Sequence, residues 1–151
     1  MKVVVPVKRT PDTAAEKVID SDSLTVDREA GESVLCPVNE FSIEEAVRLK
    51  EKHGAEVTVL LVGPEQAQST VRKALSYGLD AGLQVTDGAI AGSDALGTAR
   101  VIAAAERMLD DARATAEDVV AALEPHVDAD ALETLKAGLV LDCRFTGCRE
   151  I

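Results

Sequence analysis

Apolar residues along the chain alternate between short continuous runs and longer stretches with helical spacing. Runs rich in β-branched residues, at about 2 to 7, 56 to 62 and 82 to 86, are typical of strands covered on both faces. Between these runs, apolar residues recur every three or four positions, as in helices with one buried face. With a further short run at 139 to 142, the pattern predicts a three-layer α/β fold with a mostly parallel sheet.

The stretch from 36 to 78 reads as a loop, a helix, a buried strand, a tight turn and a second helix. Asn39, followed by Glu40 and an amphipathic run, is a candidate N-cap for the first helix. Gly63 and Pro64 stop the strand and open the second helix, an arrangement that places ligand sites at the carboxyl ends of parallel strands. The same dipeptide is also typical of an ordinary turn, so the residues alone leave both interpretations open.

The run from Val3 to Val7 is expected to be the first and central strand of the sheet. Lys8 and Arg9 follow at its carboxyl end, where two cations could meet a phosphate, although solvated charges at a strand end are the commoner case. Residues 17 to 35 contain two short alternating segments, which predict a hairpin outside the sheet with a peripheral role.

A second candidate anion site follows the run at 82 to 86. Ser93 or Asp94 can cap a helix that starts near Ala95, and the free N–H groups of its first turn favour an anion. Gly97 lies inside this helix at a cost of about 1 kcal/mol relative to alanine. We therefore expect it to mark the close approach of a ligand or another helix.

Composition limits the function classes. A length of 151 residues favours one domain, 1–151, within which 106–137 forms an acidic helical segment. The net charge of −11 argues against nucleic acid and anionic membranes as partners, and aromatic residues make up only 2% of the chain. We recognise no signal peptide and no apolar stretch near the roughly 20 residues of a membrane span. A cytoplasmic protein is expected.

The three cysteines do not form a recognisable disulfide framework. Cys143 and Cys148 have only His126 as a nearby companion, which is too few ligands for a zinc site, so no metal is expected. No histidine lies near Cys36 in the sequence, so we interpret it as a small buried thiol instead of a nucleophile. We find no catalytic acid, base or nucleophile and do not expect an enzyme.

Several segments occur in the order seen in the β subunit of electron transfer flavoprotein, especially its bacterial and nitrogen-fixation-associated members. These are KVVVPVKRTPDT at 2 to 13, LTVDREAGESVL, NEFSIEEAVRLKEKHGAEVTVLLVGPEQAQSTVRKALSYGLDAG, and GSDALGTARVIAAA at 92 to 105. Residues 1 to about 105 therefore resemble the N-terminal part of that subunit, whereas the C-terminal part does not. The resemblance implies a Rossmann-like adenine-nucleotide-binding domain of the electron transfer flavoprotein and universal stress protein type.

The resemblance also implies AMP, or FAD shared with a partner or in place of AMP, as the cofactor. It implies an α-type subunit that carries the flavin, with which the chain would support electron transfer. Acyl-CoA dehydrogenase-type redox partners are not expected, because the family's docking segment is not matched. The implied cofactor-binding residues, among which the loop at Ser93 and Thr98 lies near the phosphates, are Pro6, Val7, Lys8, Cys36, Pro37, Val38, Asn39, Val62, Gly63, Ser93, Asp94 and Thr98.

A second function class stays open at this point. The same broad fold serves stand-alone adenine-nucleotide-binding or interaction modules that transfer no electrons, and a fold by itself does not determine function. The unmatched C-terminal part favours this alternative, whereas the ordered N-terminal segments favour the flavoprotein subunit.

Overall fold

The computed structural model describes residues 1–28, 30–110 and 140–146, with the backbone alone for 140–146. Most of the acidic segment predicted over 106–137, together with His126, Cys148 and the side chain of Cys143, lies outside the described residues. In chain order the elements are β1 (Lys2–Val7), β2 (Arg9–Pro11), β3 (Ser33–Leu35), α1 (Pro37–His53), β4 (Glu56–Val62), α2 (Gln68–Leu75), β5 (Ala81–Thr86), α3 (Ala95–Asp110) and β6 (Val140–Thr146). A 3-10 turn over Glu65–Ala67 precedes α2, and another over Gly88–Ile90 follows β5.

The main sheet has the strand order β1-β4-β5-β6. β4 pairs in parallel with β1 on one side and with β5 on the other, whereas β6 pairs antiparallel with β5. The predicted mostly parallel α/β fold is confirmed. The fourth strand is longer than the predicted 139 to 142 and runs against its neighbour.

The prediction that β1 is the central strand is wrong for the described part of the chain, where β1 has β4 as its only neighbour in the main sheet. The two crossovers from β1 to β4 and from β4 to β5 move in the same direction, so the chain does not return to the other side of β1. Pro6 is exposed, and proline, which cannot donate a ladder hydrogen bond, belongs on an edge strand. This residue was the signal in the sequence against a central position.

Helices cover both faces of the sheet. α1 and α2 pack on one face, where Ile43 and Val71 are fully buried against β4 side chains such as Val59. α3 packs on the other face through Val101 and its neighbours, against a cluster that includes Leu60. β4 therefore contributes alternate side chains to two separate cores, as a central parallel strand must. No helix in the described ranges is long and apolar enough to cross a membrane.

The hairpin expected over 17 to 35 leaves the main sheet as a separate ribbon. β2 and β3 pair antiparallel at its base, and an antiparallel bridge joins Ile19 to Val26 near its tip. The Asp12 N–H donates to the Glu32 carbonyl at 2.9 Å, extending the base by one further bond. The hairpin prediction therefore agrees with the observed backbone.

One charged pair joins α1, β4 and the turn before β5. The Nζ of Lys50 lies 2.6 Å from Oδ1 of Asp80 and also donates to the Gly78 carbonyl at 2.8 Å. Oδ2 of Asp80 accepts the Val57 N–H at 2.9 Å. The hydrogen bond from Lys50, and then the one from the Val57 backbone, hold the pKa of Asp80 below its usual value.

Helix α2 and strand β5 approach each other closely at Gly82. A Cβ atom added there would lie 2.7 Å from Cγ1 of Val71 and 3.3 Å from Cγ1 of Val59. We expect Gly82→Ala to lower the free energy of unfolding by about 1 to 3 kcal/mol, because both neighbours are fully buried and cannot move without repacking the core. Urea unfolding measures the change.

The matched control is Gly88→Ala, since a Cβ at that position has no atom within 4 Å. We expect its free energy of unfolding to stay within about 0.5 kcal/mol of the unsubstituted chain. Equal destabilisation by the two substitutions would contradict the close approach at Gly82.

The charged pair at Asp80 predicts a pH-dependent contribution to stability. Asp80→Asn is expected to lower the free energy of unfolding at pH 7 by about 1 kcal/mol. Because the folded-state pKa lies below the usual 3.8, this contribution is present above that pH and is lost as the pH falls through the lowered value. When unfolding is measured from pH 7 to pH 2, the free energies of unfolding of the unsubstituted chain and of Asp80→Asn should become equal as the pH falls. The control Glu44→Gln, in the exposed pair with Arg48, should show a difference near zero at every pH.

Candidate functional site

A cavity of about 850 Å³ opens at the carboxyl edge of the parallel strands. The ends of β1, β4 and β5 meet at this edge, and the loop before α3 closes one side. The crevice outside the carboxyl ends of parallel strands is where open α/β sheets bind ligands. Its volume falls within the roughly 300 to 1,000 Å³ of small-molecule and cofactor sites.

Asn39 connects the first turn of α1 to the end of β1. Its Oδ1 accepts the Lys8 N–H at 3.0 Å, and its Nδ2 donates to the Pro6 carbonyl at 3.4 Å. The prediction that Asn39 caps α1 is wrong, because the helix begins at Pro37 with Cys36 in the N-cap position and no side-chain cap. Proline fits the first helical position, so the helix starts three residues earlier than predicted. The Asn39 side chain instead fixes the backbone that lines the cavity.

The turn after β4 is held by two polar side chains of β5. Nε2 of Gln84 donates to the Pro64 carbonyl at 2.8 Å, and the Thr86 hydroxyl donates to the Gly63 carbonyl at 2.9 Å. Gln84 also donates to the Thr86 hydroxyl at 3.1 Å, which links the two bonds. Gln84 is only 5% exposed, so its amide depends on these protein partners. The turn at the cavity is therefore fixed by a small hydrogen-bonded network.

Asp87 follows β5 and lines the same cavity. One carboxylate oxygen, Oδ1, accepts the Ala89 N–H at 2.7 Å, which fixes the side chain. The other oxygen, Oδ2, is buried and has no hydrogen-bond partner among the residues that the structure describes. A buried carboxylate oxygen without a donor is unfavourable, so this atom suits a hydroxyl or amino group of a ligand.

The predicted cap of the helix at residue 95 is observed. Oδ1 of Asp94 accepts the Gly97 N–H at 2.7 Å, while the hydroxyls of Ser93 and Thr98 donate to the carbonyls of Ile90 and Asp94. A Cβ on Gly97 would lie 3.2 Å from Cβ of Ser93 and 3.3 Å from Oδ1 of Asp94. In the described chain the atoms nearest this Cβ thus belong to the cap of Gly97's own helix and not to a second helix. The expected approach of a ligand stays a prediction.

Most of the cofactor-binding residues expected from the sequence line the cavity. Eight of the twelve lie in its wall: Pro6, Val7, Lys8, Asn39, Val62, Gly63, Ser93 and Thr98. The other four lie within three residues of a wall residue in sequence but do not line the cavity: Cys36, Pro37, Val38 and Asp94. Cys36 is half-buried, whereas Val38 is 71% exposed.

Sequence reasoning missed Arg28, Thr86 and Asp87, all of which line the cavity. Thr86 and Asp87 directly follow the apolar part of β5, so their position at a strand end was a usable signal. Arg28 belongs to the hairpin that was expected to be peripheral. Nothing in the local pattern indicates that this hairpin reaches the edge of the sheet.

A family model described as "Electron transfer flavoprotein domain" matches residues 23–115. The electron transfer flavoprotein subunit beta of Mycobacterium tuberculosis strain H37Rv is 41% identical over 108 residues, covering 68% of this chain and 41% of the relative. Protein FixA of Azorhizobium caulinodans is 35% identical over 133 residues, covering 88% of this chain and 47% of the relative. The electron transfer flavoprotein subunit beta of Clostridium acetobutylicum is 38% identical over 133 residues, covering 88% of this chain and 49% of the relative.

These matches confirm the resemblance found in the N-terminal segments. They also extend it, because an alignment that covers 88% of the chain continues beyond residue 105. The chain spans less than half the length of these relatives. The expectation of an electron-transfer protein agrees with the description of the matching family.

The network at the turn after β4 predicts the effect of Thr86→Val. This nearly isosteric change removes the hydroxyl that serves Gly63 and Gln84, so the free energy of unfolding should fall by about 1 to 2 kcal/mol. Thr58→Val is the matched control, because the Thr58 hydroxyl makes no hydrogen bond within the described residues. The free energies of unfolding of the two variants are measured by urea unfolding. Equal values for Thr86→Val and Thr58→Val would contradict a structural role for the network.

Proposed function

Because the chain belongs to the electron transfer flavoprotein family, we propose that it is a β-type subunit that binds an adenine nucleotide. The cofactor is AMP, or FAD in its place, and the site is the cavity at the carboxyl edge. The observation that carries this proposal is the convergence of eight of the twelve expected residues on one cavity of about 850 Å³.

The polar groups of the cavity match the chemistry of a nucleotide. Lys8 and Arg9 at the end of β1 supply positive charge for a phosphate. The unpartnered Oδ2 of Asp87 would accept a hydrogen bond from a ribose hydroxyl or from the adenine amino group. Apolar wall residues such as Val62 and Ile102 would cover the base.

The fixed parts of the wall give this site its shape before a ligand arrives. Asn39 holds the backbone at Lys8, and the Gln84 and Thr86 network holds Gly63 and Pro64. A preformed wall avoids the entropy of ordering loops on binding, which favours tight retention of a cofactor. The Asn39 amide, already bonded to the protein backbone, would serve mainly to position that wall.

The proposed partner is an α-type subunit, with which the chain forms a heterodimer. A bound flavin supplies the ability to accept and release electrons. The contribution of this chain would be to bind and orient the nucleotide and to set the electrostatics around it, because the protein's role in cofactor chemistry is of that kind. None of its residues is assigned to proton transfer or nucleophilic attack.

The direct test is to denature the purified full chain and identify any released nucleotide by chromatography and absorbance. Recovery of AMP or FAD at close to one per chain is the expected result. Recovery of no nucleotide, together with no binding of added AMP or FAD, would overturn the proposal.

Gly63→Val tests where the nucleotide binds. A Cβ at Gly63 lies 3.1 Å from Cδ2 of Leu61 and 3.5 Å from Cβ of Ala67, so the protein can accept a side chain with small shifts while its methyl groups occupy cavity space. We expect nucleotide retention to fall by about tenfold or more while the free energy of unfolding falls by less than about 1.5 kcal/mol. Nucleotide binding and urea unfolding are measured on the same preparation. Proportionate losses of both would mean that the turn does not contact the ligand.

A further inference from the structure

The hairpin between β2 and β3 brings a third cation to the cavity. Arg28 lines the wall together with Lys8 and Arg9, although it lies outside the main sheet and far from the other strand ends in sequence. Three cations at one site stand out in a chain with 16 basic and 27 acidic residues. Among the described residues of the wall two are acidic, Glu65 and Asp87, so the charge of this part is opposite in sign to that of the whole chain.

The backbone fixes the position of Arg28 by hydrogen bonds on both sides of it. The Asp27 N–H donates to the Val18 carbonyl at 2.8 Å, which continues the ladder from the hairpin tip. On the other side, the Ser33 hydroxyl donates to the Arg28 carbonyl at 3.4 Å, and Ser33 begins β3. The residue is therefore placed by a folded ribbon whose base pairs next to the end of β1.

The cations and the acidic residues come from different segments of the wall. Lys8, Arg9 and Arg28 all precede α1, whereas Glu65 and Asp87 follow β4 and β5. A ligand with an anionic end therefore gains most when that end faces the β1 and hairpin side. An arginine offers a planar set of N–H donors that fits phosphate oxygens, and an exposed arginine binds them without a large desolvation cost.

We propose that Arg28 binds the phosphoryl group of the nucleotide, completing a cationic side of the cavity with Lys8 and Arg9. This inference rests on the proposed nucleotide-binding function and assigns to the hairpin a role in ligand recognition. The same chemistry would serve the phosphate of AMP or the pyrophosphate of FAD. The residue discriminates ligands with a phosphoryl group from the corresponding nucleosides.

The test compares ligands that differ by the phosphoryl group. Affinities of the full chain, freed of copurified nucleotide, are measured by calorimetric titration with AMP, FAD and adenosine at low ionic strength. Arg28→Ala is expected to weaken AMP or FAD binding by about five- to tenfold and to leave adenosine binding unchanged. Whichever of AMP and FAD loses affinity identifies the source of the phosphoryl group. Raising the salt concentration should reduce the difference.

Two further variants sharpen the interpretation. Arg28→Lys keeps the charge but loses the planar donor set, so it should give an intermediate affinity for the phosphorylated ligand. Arg48→Ala removes the same charge from the outer face of α1, where Arg48 pairs with Glu44 and Glu45, and should leave every affinity unchanged.

The outcomes separate this inference from the function on which it rests. Unchanged AMP and FAD affinity in Arg28→Ala, or equal loss of adenosine and phosphorylated ligands, would overturn the role of Arg28 while the nucleotide site stands. An equal effect of Arg48→Ala would reduce it to a general effect of net charge and would also overturn it. Absence of any binding to the unsubstituted chain would overturn the proposed function and this inference together.

Discussion

The parallel pairing of β4 with both β1 and β5 is the constraint on which the rest of the structure depends. Its side chains alternate between two cores, with Val59 packed under α1 and α2 and Leu60 packed under α3. The pairing also brings the carboxyl ends of three strands to one edge. The cavity is a consequence of this alignment, because the chain must leave each strand end through a loop or turn that leads away from the sheet.

Local pattern predicted the strands well because their limits are set by nearby residues. β4 lies between Gly54, which adopts a left-handed conformation at the end of α1, and the turn at Gly63. Its residues follow the predicted 56 to 62 without change. The start of α1 was predicted less well, because Asn39, the polar residue that resembles a cap, forms hydrogen bonds with the backbone of Pro6 and Lys8 at the end of β1, more than 30 residues away.

The position of each element in the sheet depends on pairing between distant segments, which periodicity does not encode. The position of β1 at the edge of the sheet in the described part of the chain and the antiparallel direction of β6 are both set by such pairing. The candidate site likewise contains residues that local pattern predicts and residues that only the three-dimensional fold brings there. Residues at strand ends, such as Lys8 and Gly63, could be placed from the pattern alone, whereas Arg28 reaches the cavity only through the fold of a ribbon. The ordered segments shared with a known family supplied further site residues that the pattern could not.

The cavity wall comes from segments spread between Pro6 and Ile102, most of which are separated from each other by a strand or a helix. An unfolded or partly folded chain therefore has no version of this site, and a ligand that binds it binds the native state alone. By mass action, such a ligand would add RT ln(1 + [L]/Kd) to the free energy of unfolding. Contacts between distant segments also carry a loop-closure cost, so folds that depend on them form slowly. A bound ligand would thus add to the free energy of unfolding only after the sheet has formed.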